Sequence, residues 1–338
     1  MPLFSRDVGI DLGTSNTLMY IKDRGIVVDE ASVVAYDINQ KKVVRVGNDA
    51  KEMIGRTPPY IDVINPLKDG VIADSRMAEY MLKTFMDRVF RHHGLIGPRI
   101  AVCVPAEATE VEKRAVEDVA LSCGARQAIV IDEPLAVAKG IGLDINSPDA
   151  NMIVDIGGGT TEVSVISLGA IATGGAIRTA GDTMDNAIIN YIRKNYSLLI
   201  GQPTAAEIKC TIGSATAYDG EAPMVFKGRD LISGLPKTMS ISPEQIREAL
   251  SEHLNAILEC IRRVLEKTPP ELTGDITANG IYITGGGGLL KGMDEYLTSE
   301  IGTKVTVATN ALTCAAEGIG ALLKENRELK EFGKRSSK

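Results

Sequence analysis

The sequence is poor in cysteine, and its five cysteines lie far apart with no C-x-x-C pair among them. An odd, scattered set of this kind is typical of reduced, buried thiols in a cytosolic protein. It also argues against a metal site built from cysteine. We therefore expect an intracellular protein without disulfides.

Long apolar segments and an excess of positive charge are also missing. Residues 1–7 show no signal-peptide pattern, and no run of about 18 apolar residues, enough to span a membrane, occurs anywhere. We therefore expect a protein that is neither secreted nor membrane-spanning. The formal net charge of −7 and the pI near 5.2 argue against non-specific binding to nucleic acid, whose backbone requires a basic face.

Two segments with nearly the same sequence are present, Asp11–Thr17 (DLGTSNT) and Asp155–Thr161 (DIGGGTT). Each lies between two apolar runs, which predicts a strand, a tight turn and a second strand; we call them the first and second acidic hairpins. Glycine and hydroxyl residues in such a turn let backbone amides converge on an anion such as a phosphate chain. An aspartate at the end of the entering strand suits a hydrated Mg²⁺.

A third glycine cluster, residues 284–288 (TGGGG), follows an apolar strand pattern and precedes a helical one. An isolated glycine loop is more often a tight turn without a ligand, but three in one chain favour a ligand. The chain has no G-x-x-x-x-G-K-[ST] motif, and neither acidic hairpin opens a helix as a dinucleotide-binding loop does.

Two segments are rich in small residues, 133–140 and 314–321. On helices they would allow two backbones to approach closely, which fits tight helix packing and a hinge equally well. Glu133 stands between a buried strand and a helix start. It is either a functional acid or an ordinary first-turn carboxylate that complements the helix dipole.

Strand and helix patterns recur in the same order in both halves. Short strand-like stretches over 8–46 predict a meander, and helical patterns follow over 75–90 and 109–123. In the second half, helical patterns cover 182–195 and the residues after Ser242, a serine N-cap followed by proline.

This repetition predicts a duplicated α/β core with one small inserted subdomain in each half. The length of 338 residues and a hydrophobic content of 44% suffice for two packed cores. An alternation of polar and apolar residues over 162–166 predicts a half-exposed strand. The expected boundaries are 1–145 with an insertion over about 32–65, completed by a C-terminal helix 313–338, and 146–312 with an insertion over about 182–241.

The hairpins, the glycine cluster and the two small-residue segments together resemble the actin, sugar kinase and heat-shock chaperone ATPases. More narrowly, the second acidic hairpin, residues 180–185 (AGDTMD) and residues 212–214 (IGS) resemble the MreB family of bacterial actin homologues over essentially the whole chain. The resemblance implies a ribonuclease-H-like (actin-like) core of two lobes that bind ATP in the cleft between them. It also implies slow ATP hydrolysis coupled to polymerisation.

The same resemblance implies roles for individual residues. Asp11 and Asp155 would hold Mg²⁺ through water, and Glu133 and Thr160 would orient the attacking water. Contacts to ATP would come from Gly13, Thr14, Ser15, Asn16, Gly157, Gly158, Gly159, Thr160, Glu207, Lys209, Gly285, Gly286, Gly287 and Gly288.

One position departs from the family pattern. The carboxylate that usually precedes the ribose-facing lysine is replaced by Ala206, and Glu207 lies about 100° further round the helix. Glu207 therefore cannot be assumed to replace it. Ribose contact and the choice between ATP and GTP are left open.

Between two predicted elements lies the loop 91–98, in which Leu95 and Ile96 are flanked by arginine and histidines. These two side chains either cover the core or insert into a bilayer while the basic residues meet anionic headgroups. The resemblance favours the membrane, with Leu3 and Phe4 assisting. Since one loop anchors weakly, a filament would supply the multivalency.

Three functions share this ATPase scaffold. A chaperone needs a peptide-binding domain for which no residues remain, and a sugar-type kinase needs a catalytic base for which no separate candidate is found. The resemblance favours a homopolymer, as a double filament, at the inner face of the cytoplasmic membrane. Its partners would be membrane proteins of wall synthesis and morphogenesis, and its role the maintenance of rod shape.

Overall fold

The computed structural model describes residues 7–90 and 97–325 of the chain. Two compact units are found. The first comprises Met1–Pro148, Ile166–Ile171 and Leu312–Lys338, and the second Asp149–Val165 and Ala172–Ala311.

Strands and helices alternate along the first half of the chain. The strands are β1 Asp7–Leu12, β2 Asn16–Ile21, β3 Gly25–Ala31, β4 Val34–Asp37, β5 Lys42–Val46, β6 Ile61–Ile64, β7 Leu67–Lys68, β8 Val71–Ile72, β9 Arg99–Val104 and β10 Gln127–Asp132. The helices are α1 Asn48–Lys51, α2 Ser75–Val89, α3 Glu110–Ser122 and α4 Glu133–Gly140.

The second half adds further strands and helices. The strands are β11 Asn151–Ile156, β12 Thr161–Ser167, β13 Ala170–Ile177, β14 Leu198–Leu199, β15 Met224–Asp230, β16 Pro236–Ile241, β17 Ile281–Thr284 and β18 Val305–Val307. The helices are α5 Gly181–Tyr196, α6 Gln202–Ile212, α7 Pro243–Lys267, α8 Pro270–Asn279, α9 Met293–Ile301 and α10 Cys314–Lys324, with a 3-10 turn at Gly287–Leu289.

Two five-stranded sheets have the same topology, with strand orders β10-β9-β1-β2-β3 and β13-β12-β11-β17-β18. In the first sheet β1, β2 and β3 pair antiparallel, whereas β1, β9 and β10 run parallel. In the second sheet β11, β17 and β18 also run parallel. Strand β11 thus takes the place of β1, and β17 that of β9. The predicted duplicated α/β core is confirmed.

The predicted meander is correct only for β1, β2 and β3. Strands β4 and β5 form a separate small sheet with β6, in the order β5-β4-β6. The chain leaves the first sheet after Ala31, where the amide of Val33 donates a hydrogen bond to the Ala31 carbonyl at 2.9 Å and so closes a tight turn. The small sheet packs its own cluster of buried residues, Ala31, Val33, Ala35 and Ala50. Local strand patterns do not reveal this change of sheet.

The prediction of a half-exposed strand over 162–166 is wrong, because β12 is buried over its first six residues. It lies between β11 and β13, so both of its edges are paired. Its polar side chains are buried as well, and Thr161 donates a hydrogen bond from Oγ1 to the Thr179 carbonyl at 2.6 Å. Polar residues with partners inside a core imitate the alternation of an exposed face.

The predicted helix starts are found at α3 and α7. Thr109 caps α3 and Ser242 caps α7, each in a capping box with the residue three positions on. Helix α7 then buries one apolar stripe in the core of the second unit, and its members are Ile246, Leu250, Leu254, Ile257, Leu258, Ile261 and Val264. Because this stripe follows the period of a helix, the sequence predicts it correctly.

Helices α4 and α10 pack with their backbones in close approach inside the first unit. A Cβ atom on Gly140 would overlap the Cys314 carbonyl oxygen, and one on Gly318 would overlap the Ala136 carbonyl oxygen. The two small-residue segments therefore pack tightly, as one of the two interpretations predicts. A hinge role for them stays a hypothesis.

We predict that Gly318→Ala lowers the free energy of unfolding by roughly 1–3 kcal/mol or prevents folding, since two backbones would have to separate. The matched control is Gly274→Ala in α8, where a Cβ atom would meet nothing within 4 Å. Gly274→Ala should raise the free energy of unfolding by roughly 0.5–1 kcal/mol, because alanine favours the helix more than glycine does. Urea unfolding followed by circular dichroism measures both changes, and a neutral Gly318→Ala would contradict the close approach of α4 and α10.

Candidate functional site

The first acidic hairpin joins β1 to β2, and the carbonyl oxygens of its turn are held by nearby donors. Ser32 donates from Oγ to the Gly13 carbonyl at 2.7 Å and from its amide to the Ser15 carbonyl at 3.0 Å. Asn65 donates from Nδ2 to the Thr14 carbonyl at 2.8 Å. Three successive carbonyls are therefore fixed by the protein itself.

The second acidic hairpin joins β11 to β12, and it is held by the first turn of α5 instead. The amide of Gly181 donates to the Gly157 carbonyl at 3.1 Å, and that of Asp182 donates to the Gly158 carbonyl at 2.8 Å. The turn itself is closed by a hydrogen bond from the Gly157 amide to the Thr160 carbonyl at 2.9 Å. Backbone donors of a helix start thus position this turn.

Both turns leave backbone donors available. In the part of the chain that the structure describes, the amides of Thr14 and Ser15 have no acceptor, and neither have those of Gly158 and Gly159. Amides gathered in a tight turn form a site for an anion. Each unit therefore carries a turn suited to phosphate oxygens.

The two aspartates occupy equivalent places at the ends of parallel strands. Asp11 on β1 is in register with Cys103 on β9, and Asp155 on β11 is in register with Thr284 on β17. Both residues are partly exposed. The chain thus brings each carboxylate to the base of the glycine turn that follows it.

Glu133 lies at the same end of the first sheet as Asp11. Strand β10 ends at Asp132, and Glu133 begins α4 immediately after it. Burial raises the pKa of the Cys103 thiol well above its ordinary value. The negative charges of Asp11, Glu133 and Asp132 add smaller contributions in the same direction. Burial and these negative charges therefore keep the Cys103 thiol neutral, and sequence reasoning missed this residue because an isolated cysteine carries no motif.

The glycine cluster 284–288 packs against β11 and β17. Gly285 has a φ of 77°, and a Cβ atom there would overlap the Ile156 carbonyl and the Asp155 carboxylate. A Cβ atom on Gly287 would overlap the Ile156 side chain. Packing alone thus explains these two glycines, and the proposed contact of Gly285 to Gly288 with adenosine stays a prediction.

The two residues expected near the ribose have different surroundings. Glu207 is exposed on α6. Lys209 lies 2.8 Å from Asp185 Oδ1 and donates to the Gly181 carbonyl at 2.7 Å. Sequence reasoning gave Asp185 no role, although the segment 180–185 that contains it carries part of the family resemblance.

Leu95 and Ile96, the residues predicted to contact a membrane, lie outside the described residues, as do Leu3 and Phe4. No helix among the described residues is long and apolar enough to cross a membrane. The described residues also contain no group of three or more side chains able to hold a metal ion.

Each unit carries residues that fit part of a Mg-nucleotide. The unpaired amides of the two turns suit phosphate oxygens, and one carboxylate stands beside each turn. Mg²⁺ usually keeps several waters and takes only one or two carboxylates together with phosphate oxygens, so a larger cluster of ligands is not required. The buried hydroxyl of Thr284, which has no hydrogen-bond partner among the described residues, adds a further polar atom at the end of β17.

Several known proteins are similar to this chain over most of its length. The family model "MreB/Mbl protein" matches residues 5–331. The cell shape-determining protein MreB of Escherichia coli K12 is 47% identical over 326 residues, which cover 95% of this chain and 94% of that protein. The cell shape-determining protein Mbl of Bacillus subtilis 168 is 44% identical over 321 residues, covering 95% and 96%.

Solved structures show the same fold. MreB5 of Spiroplasma citri, determined with ADP and with AMPPNP, is 37% identical and superposes with TM-scores of 0.93 and 0.94 over 98% of this chain and 99–100% of that one. A MamK double helical filament is 24% identical with a TM-score of 0.81 over 95% of this chain and 99% of that one. The expected actin-like fold class is confirmed.

Proposed function

Since the chain belongs to the MreB/Mbl family of actin-like proteins, we propose that it is a membrane-associated filament protein that binds and slowly hydrolyses ATP. It would organise cell-wall synthesis and maintain rod shape, and its relatives from Escherichia coli and Bacillus subtilis are named cell shape-determining proteins. The observation that carries the proposal is the pair of acidic hairpins with unpaired amides. The nucleotides bound by the Spiroplasma citri relative support it.

Each hairpin would contribute to one Mg-ATP. The turn amides of Thr14, Ser15, Gly158 and Gly159 would bind phosphate oxygens, and Asp11 and Asp155 would hold Mg²⁺ through water. The remaining proposed contacts to ATP are Gly13, Asn16, Gly157, Thr160, Glu207, Lys209 and the cluster 285–288. Bound Mg²⁺ would neutralise charge on the phosphates.

Hydrolysis would rest on positioning. Glu133 follows β10 at the same end of the first sheet as Asp11 and would orient a water for attack together with Thr160. Fixed turns reduce the reorganisation needed at the moment of reaction. Because both turns are already held by the protein, most of this positioning would exist before the nucleotide binds.

Self-association would use exposed apolar surface. The turn between β15 and β16 exposes Leu231, Ile232 and Leu235, with Ile232 at 87% exposure. Asp230 holds this turn rigid, since the amide of Ser233, the side chain of Lys237 and the amide of Ile232 bond to its carboxylate and lower its pKa to about 2. A rigid apolar tip loses little entropy on binding. The MamK structure of the same fold is a double helical filament, which supports the proposal of self-association.

Membrane attachment would use Leu95 and Ile96, assisted by Leu3 and Phe4. The loop 91–98 carries Arg91 and two histidines beside the apolar pair, which suits anionic headgroups. Many such loops along a double filament would bind the inner face of the cytoplasmic membrane by multivalency. There the filament would meet the membrane proteins of wall synthesis.

We predict that the wild-type protein pellets in the presence of Mg-ATP and that Ile232→Asp abolishes pelleting, because a charge would be buried in the subunit contact. The control is Leu168→Asp, which changes another turn residue with 66% exposure. Ultracentrifugation at micromolar protein measures both variants. Sugar-stimulated ADP release without any pelleting would instead indicate a kinase.

Glu133→Ala should retain ATP binding and pelleting but slow phosphate release on the order of a hundredfold, the usual effect of losing a group that orients or activates water. Glu110→Ala, which removes the first-turn carboxylate of α3, is the matched control. Asp155→Ala should weaken Mg-ATP binding itself. Calorimetry and a phosphate-release assay separate these effects, and an unchanged release rate would remove Glu133 from the catalytic residues.

Leu95→Asp combined with Ile96→Asp should abolish co-sedimentation with anionic liposomes and leave filaments intact by electron microscopy. Replacing both residues by valine keeps the loop apolar and should preserve binding. Liposomes without anionic lipid test the contribution of the basic residues. Loss of both filaments and lipid binding in the aspartate variant would contradict the assignment of this loop.

A further inference from the structure

Thr284 ends β17 and shares one face of the second sheet with Asp155. The two residues are in register on the parallel strands β11 and β17. Side chains in register on neighbouring strands point to the same face of a sheet. The opposite face bears the apolar core of the unit, whose members on these two strands are Met152, Val154, Ile156, Ile281 and Ile283. Thr284 therefore points away from that core, to the side on which Asp155 lies.

The hydroxyl of Thr284 is buried without a partner. The residue is 0% exposed, and its Oγ1 has no hydrogen-bond partner among the described residues. Two other buried threonines of this unit do have partners, since Thr161 donates to the Thr179 carbonyl at 2.6 Å and Thr268 donates to the Val264 carbonyl at 2.7 Å. A buried hydroxyl without a hydrogen bond destabilises a protein, so its presence calls for a functional explanation.

Asp155 packs directly against the residue that follows Thr284. A Cβ atom on Gly285 would overlap Asp155 Oδ1, so a glycine is needed there to leave room for the carboxylate. The backbone at this point is fixed, because the Gly285 amide donates to the Ala311 carbonyl at 2.9 Å. Neighbouring strands lie about 4.8 Å apart, so side chains in register can reach each other. The Thr284 hydroxyl and the Asp155 carboxylate therefore stand side by side at the end of the sheet.

The first sheet repeats this arrangement with a thiol. Asp11 is in register with Cys103, which is 5% exposed. The negative charge of Asp11 contributes to the raised pKa of the Cys103 thiol, so the two groups lie within electrostatic reach. A thiol is a weak hydrogen-bond donor and a hydroxyl a good one. Of the two equivalent positions, the one beside Asp155 thus carries the stronger donor.

We propose that Thr284 is a positioning residue for Asp155, to whose carboxylate its hydroxyl donates a hydrogen bond when Mg-ATP is bound. Rotation about the χ1 angle of Thr284 turns the hydroxyl to one carboxylate oxygen, and the other oxygen then faces the water shell of Mg²⁺. Carboxylates of metal sites are usually fixed by a further hydrogen bond of this kind. The proposal rests on the ATP-binding function proposed above.

Thr284→Val removes the hydroxyl and keeps the shape of the side chain. We expect it to weaken Mg-ATP binding on the order of tenfold, the usual effect of losing a group that orients a metal ligand. Binding of ATP in excess EDTA should not change, because the turn amides stay in place. Isothermal titration calorimetry of the full-length protein measures both affinities. Thr284→Ser keeps the hydroxyl and should restore the wild-type affinity. Unchanged Mg-ATP affinity in Thr284→Val, or an equal loss with and without Mg²⁺, would overturn the proposal.

A double-mutant cycle tests whether Thr284 acts through Asp155. Mg-ATP binding is already weakened in Asp155→Ala, and adding Thr284→Val should cause no further loss. Two residues that act through one interaction give such a non-additive result, whereas independent residues give additive losses. An equal loss in the wild-type and the Asp155→Ala background would show that the hydroxyl acts on another group, and the proposal would fail.

Thermal unfolding of the nucleotide-free protein separates positioning from a structural role. Because the Thr284 hydroxyl has no partner among the described residues, Thr284→Val should unfold at the wild-type temperature or above. The matched control Thr268→Val removes a paired hydroxyl at the end of α7, so it should unfold at a lower temperature and bind Mg-ATP normally. A lower unfolding temperature for Thr284→Val would overturn the proposal. A wild-type chain that does not bind Mg-ATP would overturn the proposed function itself, an outcome distinct from a failure of the variants alone.

Discussion

Hydrogen bonds to the carbonyl oxygens of two glycine turns are the interactions on which the candidate site depends. A tight turn presents either its carbonyls or its amides to a ligand, and only the amides attract an anion. In the first unit Ser32 and Asn65 bind the carbonyls, and in the second unit the start of α5 does so. The same outcome, free amides beside an aspartate, is reached by two different sets of donors.

These donors also connect each turn to the small inserted subdomain expected in its half. Ser32 and Asn65 are the first and last residues of the stretch 32–65, so both ends of that insertion are tied to the first acidic hairpin. The start of α5 opens the stretch 182–241 in the same way. A displacement of either insertion relative to its sheet would therefore strain the adjacent turn. We therefore expect phosphate binding and the position of the insertion to be coupled through the hydrogen bonds to the turn carbonyls inside each unit.

Sequence predicts best what is local and periodic. The acidic hairpins, the capping boxes of α3 and α7 and the apolar stripe of α7 follow from residues within a few positions of each other. The change of sheet after Ala31 and the burial of β12 do not, because they depend on which strands lie on either side. The donors from Ser32 and Asn65 were missed for the same reason. A serine or asparagine in a loop has no local sign that its partner is a distant carbonyl.

The groups that hold the first turn and those that hold the second turn differ in how strongly a substitution should destabilise the protein. The first turn is held by neutral side chains. Losing one hydrogen bond between neutral groups typically lowers the free energy of unfolding by about 1 kcal/mol. The second turn is held by amides at the start of α5, where the Gly181 carbonyl accepts from Lys209, and Lys209 pairs with Asp185. Removing one member of this ion pair leaves the other charged and without its partner, which lowers the free energy of unfolding by more than the pair contributes. Conservative changes around the first hairpin should therefore be tolerated better than changes at Asp185 or Lys209. This asymmetry arises although the two sheets share one topology, because the duplication repeats the strands but leaves each turn to be fixed by different neighbours.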